Sequence, residues 1–293
     1  MDLIRRMDDN DICLVSQFIS KVNRVEESHI GYLGKGEEEI ADSFREEFAD
    51  SDLSDCFIVA LTDQELIGVA GFDIDSENQS AEVWGPFVKS TNREALNKIW
   101  GEAVKLLPAY VTFIYMFPNR KNIEVIGFAE ILGFVPESGQ TILTFDREAA
   151  SRLGDGGIQE LSDDLVQEMI DLHDRTFPDT HYSGRKIIKR RNQYRKVFMV
   201  KEGSHLSGYI YVEAEPEFGE AAIEFVAVDE QDRGKGVGMS LITGALLWLF
   251  TFDEMRTISL CVNTENKKAL HLYRKTGFKH EHDLVFLRYT KNQ

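Results

Sequence analysis

The strongest constraint on the fold is that the chain repeats itself. Leu66-Ile67-Gly68 recurs 140 positions later as Leu206-Ser207-Gly208, and Ala81 and Val88 recur at the same offset as Ala221 and Val228. Asn119 and Asn122 recur 144 positions later as Asn263 and Asn266, and Gly133-Phe134 as Gly277-Phe278. A near-constant offset over four separate elements marks a duplicated domain, and 293 residues give room for two domains of ordinary size. Residues 146–157, DREAASRLGDGG, are polar and end in Gly154-Asp155-Gly156-Gly157, which reads as a flexible connector. The expected division is a domain over 1–146, a linker over 147–157 and a second domain over 158–293.

Each half follows one order of elements. Apolar stripes at helical spacing run over 11–22 (Ile12, Val15, Phe18, Ile19, Val22) and 37–48 (Ile40, Phe44, Phe48). A hairpin over 57–61 and 66–72 follows, then strand 81–88, helix 92–107, strand 111–117, helix 124–132 and strand 141–145. The second half reads as helices 161–172 and 185–195, hairpin 197–201 and 206–213, strand 221–228, a helix from Met239 to Phe250, strand 257–262, helix 266–275 and strand 284–288. The fold class is α/β.

The chemistry is expected where strand 221–228 runs into Arg233-Gly234-Lys235-Gly236-Val237-Gly238 and then a helix opened by Met239 and Ser240. Glycines let backbone N–H groups approach an anion, and the helix dipole adds positive charge at the same spot. Neither the Walker pattern nor the dinucleotide fingerprint fits, since Met239 stands where the latter needs glycine. Arg233, Gly236 and Gly238 after an apolar strand make Arg-x-x-Gly-x-Gly. This resembles the pyrophosphate loop of the GNAT N-acetyltransferase superfamily. Asn263, Asn266, Ala269, Tyr273 and Gly277-Phe278 match a second segment of that family, Asn-x-x-Asn-x-x-Ala-x-x-x-Tyr-x-x-x-Gly-Phe.

The resemblance implies two tandem GNAT-like domains, each a mostly antiparallel mixed sheet (α+β) flanked by helices. It also implies acetyl transfer from acetyl-CoA, as cosubstrate, to an amine by direct attack in a ternary complex. An acyl-CoA-binding regulatory module without turnover is the alternative. By the resemblance, the backbone of Phe225, Val226, Ala227 and Val228 would pair with the pantetheine amides, and Asn263 would hold the pantetheine or the strand splay. Ala269 would leave room for the cofactor. Asn266, Ala269 and Tyr273 share one helix face, so the phenol of Tyr273 could protonate the leaving thiolate. Glu224 is the one charged residue inside strand 221–228. It reads either as a buried base with raised pKa or as a group that binds substrate or pairs with a nearby base.

The first half departs from this pattern. Leu96 stands in the place of Gly236, Lys98 in that of Gly238 and Ala129 in that of Tyr273, although Arg93 matches Arg233. It is expected to be a degenerate copy that packs against the second half and helps shape the substrate pocket.

A net charge of −17 argues against nucleic acid and anionic membrane as partners and suits a cationic amine. Three scattered cysteines offer no disulfide framework or zinc site. His280-Glu281-His282 has no recognisable third ligand and reads as a solvated turn, so no metal is expected. Cys261 is expected to be buried. The basic run from Arg185 to Lys196 reads as one helix with a solvated face or a contact to cofactor phosphates. Glu213, Glu215 and Glu217 could attract a cation. With no signal-like segment, a cytoplasmic monomer or homodimer is expected.

Overall fold

The computed structural model describes residues 3–49, 51–89, 93–178, 180 and 182–291. The chain forms two compact units, one of residues 1–140 with 282–293 and one of residues 141–281. The first contains β1 (Leu3–Arg6), α1 (Ile12–Asn23), α2 (Glu37–Glu47), α3 (Leu53–Cys56), β2 (Phe57–Thr62), β3 (Glu65–Asp75), β4 (Ser80–Val88), α4 (Arg93–Ala103), β5 (Phe113–Met116) and α5 (Ile123–Leu132). β6 (Val135–Asp146) begins there and ends in the second unit. The second unit continues with β7 (Gln159–Glu160), α6 (Val166–Thr176), α7 (Gly184–Arg190), β8 (Arg195–Glu202), β9 (His205–Glu215), β10 (Glu220–Val228), α8 (Val237–Leu249), β11 (Thr257–Asn263) and α9 (Lys267–Thr276). β12 (Lys279–Thr290) starts in it and finishes in the first.

The first unit's strands lie in the order β1-β2-β3-β4-β5-β12, the second's in the order β6-β11-β10-β9-β8-β7. The described pairings are antiparallel except β4–β5 and β10–β11, which are parallel. Helices flank both sheets. Among the described residues no helix is long and apolar enough to cross a membrane.

The expected division differs from the observed one at both ends. Strand 284–288 was assigned to the second half, yet β12 pairs Leu287 with Met116 and Tyr289 with Ile114 of β5, in the first unit. Residues 141–145 likewise belong to the second unit. Strands of 12 residues reach about 40 Å, so each can leave one unit and complete the other's sheet. Side-chain alternation is the same in either location, and sequence pattern alone cannot reveal the exchange.

The repeat is preserved down to single hydrogen bonds. Asn119 Oδ1 accepts from Lys121 N at 2.9 Å, as Asn263 Oδ1 does from Glu265 N at 2.8 Å. Asn122 caps α5 through Val125 N at 3.2 Å, and Asn266 caps α9 through Ala269 N at 3.1 Å. Gly133 and Gly277 end these helices at φ of 90° and 117°, a conformation that favours glycine.

The connector is not a free tether. Residues 147–152 form a 3₁₀ helix, and Ala149, Ala150, Leu153 and Ile158 pack on the core of the second unit. Arg147 donates from Nε to the carbonyl of Met255 at 2.6 Å and from Nη2 to the carbonyls of Phe250 and Phe252. A Cβ on Gly156 would lie 2.2 Å from Gly244 Cα, so this glycine is there for close backbone approach. Gly156→Ala is expected to cost about 1–3 kcal/mol through overpacking. A lowered thermal midpoint of the full chain checks this.

Candidate active site

β10 carries the site because it changes face halfway along. Its register with β9 goes from Ile223↔Val212 to Phe225↔Tyr211, which leaves Glu224 as a one-residue bulge. A bulge turns every later side chain to the opposite face. Ala221 and Ile223 accordingly pack in the core beside α8, while Phe225 and Ala227 pack in the core under α6 and α7.

At the same point the sheet opens. The parallel pairing of β10 with β11 runs from Glu220↔Thr257 to Ile223↔Leu260 and stops, although both strands continue. Among the described residues no strand pairs with the β11-facing edge of residues 226–228, and β9 still covers the other edge. Backbone groups on such an edge need hydrogen bonds, and an extended, amide-bearing ligand can supply them by strand addition.

The chain then turns through residues 229–236 into α8. Gly234 and Gly236 adopt φ of 82° and 90°, and a Cβ at either would meet nothing within 4 Å. These glycines are required by conformation, with open space above them. Gly238 differs: a Cβ there would lie 3.0 Å from the end of the Leu272 side chain, a tight contact that Leu272 would have to yield to. The helix starts at Val237, two residues before the expected Met239, with Gly236 as its N-cap and no side-chain cap. Ser240 N is already bonded to Gly236 O at 3.0 Å. The amides of Val237, Gly238 and Met239 are the terminal donors that a helix leaves for an anion. The two loop bases fold back on the loop's own acids. Lys235 Nζ is 2.7 Å from Asp232 Oδ1, and Arg233 donates to Val228 O and to Glu230, each at 3.3 Å.

Glu224 and Tyr273 are linked electrostatically through Cys261. Burial, followed by the charge of Glu224, pushes the Cys261 thiol up to about 12. Burial, followed by Cys261, pushes the Tyr273 phenol to about 12. Cys261 is exposed rather than buried as expected. A thiol held protonated is a poor nucleophile. Glu224 is half-buried, so the expected full burial of the base is not what the strand provides. The Tyr273 ring packs edge-on against Phe278 at 5.8 Å. Ala269 is partly buried beside it, and the side chains of Asn263 and Asn266 are used in the turn and cap already described.

Residues 165–278 match the profile of the acetyltransferase (GNAT) family. The second unit is a GNAT-family domain. A 60-residue stretch is 40% identical to spermidine N(1)-acetyltransferase of Vibrio cholerae, covering 20% of this chain and 35% of that enzyme. The chain thus spans about a third of the curated relative it matches. Two solved structures share the fold along the whole chain. A GCN5-related N-acetyltransferase from Sphaerobacter thermophilus is 15% identical with a TM-score of 0.74, over 99% of this chain and 95% of that one. A tandem GNAT protein from the clavulanic acid biosynthesis pathway is 14% identical with a TM-score of 0.67, over 100% and 99%.

The first unit keeps this domain's frame without its glycine turn. β4 and β5 pair from Ser80↔Phe113 to Glu82↔Tyr115 and then part, at positions equivalent to the GNAT domain's splay. α4, however, begins at Arg93, and Leu96 is buried in the core. The four positions that form the glycine turn in one unit are a helical turn in the other. Pro86, in the place of Val226, has no N–H to offer a ligand, and Ala129, in the place of Tyr273, is fully buried.

Several side chains of the second unit had no sequence signature. His173 is fully buried, within 2.5 Å of Tyr209 Oη and 2.7 Å of the Tyr182 carbonyl, and its ring stands edge-on to Phe225. It fixes Tyr182, whose phenol is raised by burial first, then by Glu213 and, among further charges, Glu224. The basic run is not one helix, since α7 ends at Arg190 and Arg195 lies on β8. Arg190 donates to both carboxylate oxygens of Glu213 at 3.0 and 2.9 Å, Arg195 adds a bond at 3.1 Å and Tyr211 one at 2.6 Å. Glu213 is therefore spoken for and is no receptor for a cation. Removing it leaves Arg190 without its carboxylate. Glu213→Ala is expected to destabilise by about 2 kcal/mol, less than the loss of a fully buried pair because Arg190 keeps access to water. Chemical denaturation checks it. His282, expected on a solvated turn, is buried in β12, stacked on His29 with ring centroids 4.1 Å apart.

Proposed function

We propose that the chain transfers an acetyl group from acetyl-CoA to a small amine, at one site in the GNAT domain. The observation that carries this reading is the open β10 edge beside the Glu224 bulge, which leads directly to the uncapped N-terminus of α8. One end suits the amides of a pantetheine arm and the other a pyrophosphate. Arg233, Gly234, Lys235, Gly236, Val237, Gly238, Met239 and Ser240 would surround the latter. Because a 60-residue stretch resembles a spermidine N(1)-acetyltransferase, spermidine is the first amine to try.

In this reading the thioester carbonyl lies between Glu224 and Tyr273. Glu224, directly or through a water, removes a proton from the ammonium. The amine lone pair attacks the carbonyl carbon, and a C–N bond forms as the C–S bond breaks. The electron pair leaves on sulfur; nitrogen, whose first proton passed through Glu224 to solvent before attack, gives its second to Glu224 as the C–N bond forms. Tyr273 is protonated at neutral pH because its phenol is raised to about 12. A phenol this weak stabilises the thiolate by donating a hydrogen bond more than by complete transfer. Solvent then supplies the thiol proton.

Release of CoA thiol from acetyl-CoA, measured across polyamines, amino sugars, amino acids and peptide N-termini, tests this proposal. Amine-dependent release with a mass gain of one acetyl group is the expected result. Tight binding of acetyl-CoA without release for any amine would favour a regulatory binding module, and no binding would overturn the reading.

A further inference from the structure

α5 has the composition of a buried helix but is exposed along one side. Ile123, Val125, Ile126, Phe128, Ile131 and Leu132 put apolar groups all round it, as in a helix with protein on every side. Val125 and Phe128 do face the core of the first unit. Ile123 and Ile131, however, are 73% and 67% exposed, and Val135, just past the helix, is 53% exposed. Gly127 lies between the two isoleucines, and a Cβ there would meet nothing within 4 Å. Positions 123, 127 and 131 are four apart, so they form one stripe along the helix.

The duplication supplies the control. The equivalent helix α9 keeps an apolar inner side through Ala269, Leu270 and Leu272. Its outer side differs at all four positions. At an offset of 144, Lys267, His271, Lys275 and Lys279 stand in the places of Ile123, Gly127, Ile131 and Val135, and all four are exposed. That is the usual outer face of a helix in water. The shared frame accepts charge there, so the apolar stripe of α5 is not a demand of the fold. An apolar stripe left on a surface marks a contact, and its layout indicates the partner. Read outward from Gly127 in either direction, the third residue is glutamate and the fourth isoleucine: Glu124 and Ile123 one way, Glu130 and Ile131 the other. A two-fold interface needs a patch complementary to itself, whereas a foreign partner imposes no such symmetry.

We propose that α5 is the contact helix of a homodimer, crossing α5 of a second copy antiparallel about a two-fold axis at Gly127. The missing side chain at Gly127 lets the two helices approach closely. Ile123 of one copy then packs on Ile131 of the other, and the reverse. A ten-residue helix is about 15 Å long. The contact is therefore at the small end of specific interfaces, and a dissociation constant in the micromolar range is expected. Each chain carries a net charge of −17, so added salt should tighten the dimer by screening repulsion between copies. α5 lies in the first unit, and the dimer stands apart from the acetyl-transfer reading.

Sedimentation equilibrium of the untagged full chain, from about 1 to 200 μM to bracket such an affinity, tests the dimer. Wild type should pass from monomer to dimer across this range, at lower concentration when salt is added. Ile123→Lys and Ile131→Lys copy residues that α9 already carries, so the fold should be kept, which circular dichroism checks. Each should weaken the dimer about tenfold or more, and the double variant should stay monomeric. The residue on a two-fold axis meets its own copy, which gives a second signature. Gly127→Cys, treated with a short bismaleimide, should give a dimer linked at position 127 of both copies, as mapped by mass spectrometry. A wild type that is monomeric throughout, a dimer that survives both lysine substitutions, or cross-links found only at Cys13 or Cys261 would overturn the proposal.

Discussion

Gly236→Leu is expected to lower the affinity for acetyl-CoA and CoA at least 100-fold while the protein stays folded. The φ of 90° at this position costs a leucine about 1–2 kcal/mol. No neighbour lies within 4 Å of its Cβ, so the substituent starts into open space. The leucine would occupy the space in front of the Val237, Gly238 and Met239 amides and keep a pyrophosphate from reaching them. Binding of a short acetyl thioester that lacks the pyrophosphate should change little, which separates a blocked loop from a damaged fold. Calorimetric titration of wild type should give one cofactor per chain. Undiminished binding by the variant would remove the loop from the site. Two cofactors per chain would contradict a first unit whose equivalent turn is helical.

The second large effect concerns turnover. Tyr273→Phe is expected to lower kcat about 10²–10³-fold with the KM for acetyl-CoA nearly unchanged, because the ring can keep its packing on Phe278 and loses only the donor. The sign of its pH dependence follows from the raised phenol. An acid whose pKa moves up from 10 to about 12 stays protonated across the neutral and mildly alkaline range. Activity should therefore not fall on the alkaline side through Tyr273 until pH nears 12. Glu224→Gln should also slow turnover, and its rate should recover as rising pH deprotonates the amine in solution without a protein base. Pre-steady-state acetyl transfer at several pH values measures both. A Tyr273→Phe enzyme with wild-type kcat would sink the assignment.

Features carried by local conformation were legible in the sequence. Gly234 and Gly236 announce a turn because only glycine takes their φ at no cost. Asn122 and Asn266 announce helix starts because an amide oxygen in that place satisfies a free N–H. The offset between such signals revealed the duplication before any coordinate, and Leu96 in the place of Gly236 marked the half that had lost its loop.

Features set by pairing across long separations were not legible. The alternation of residues 141–145 and 284–288 fits either sheet, so the exchange of the last strands waited for the register of β12 on β5. The bulge at Glu224 arises from the mismatch of two strands and leaves no residue signature. Gly156 resembles a flexible tether until Gly244 is seen against it. Glu213 resembles a free acid until Arg190 and Arg195 arrive from another helix and strand. The sequence by itself determined the repeat, the turns, the caps and the residue types available for chemistry, because these depend on neighbours along the chain. Tertiary structure decided which strand completes which sheet, which charges are already paired and where the pairing of β10 with β11 ends, because those depend on residues that meet only after the chain has folded.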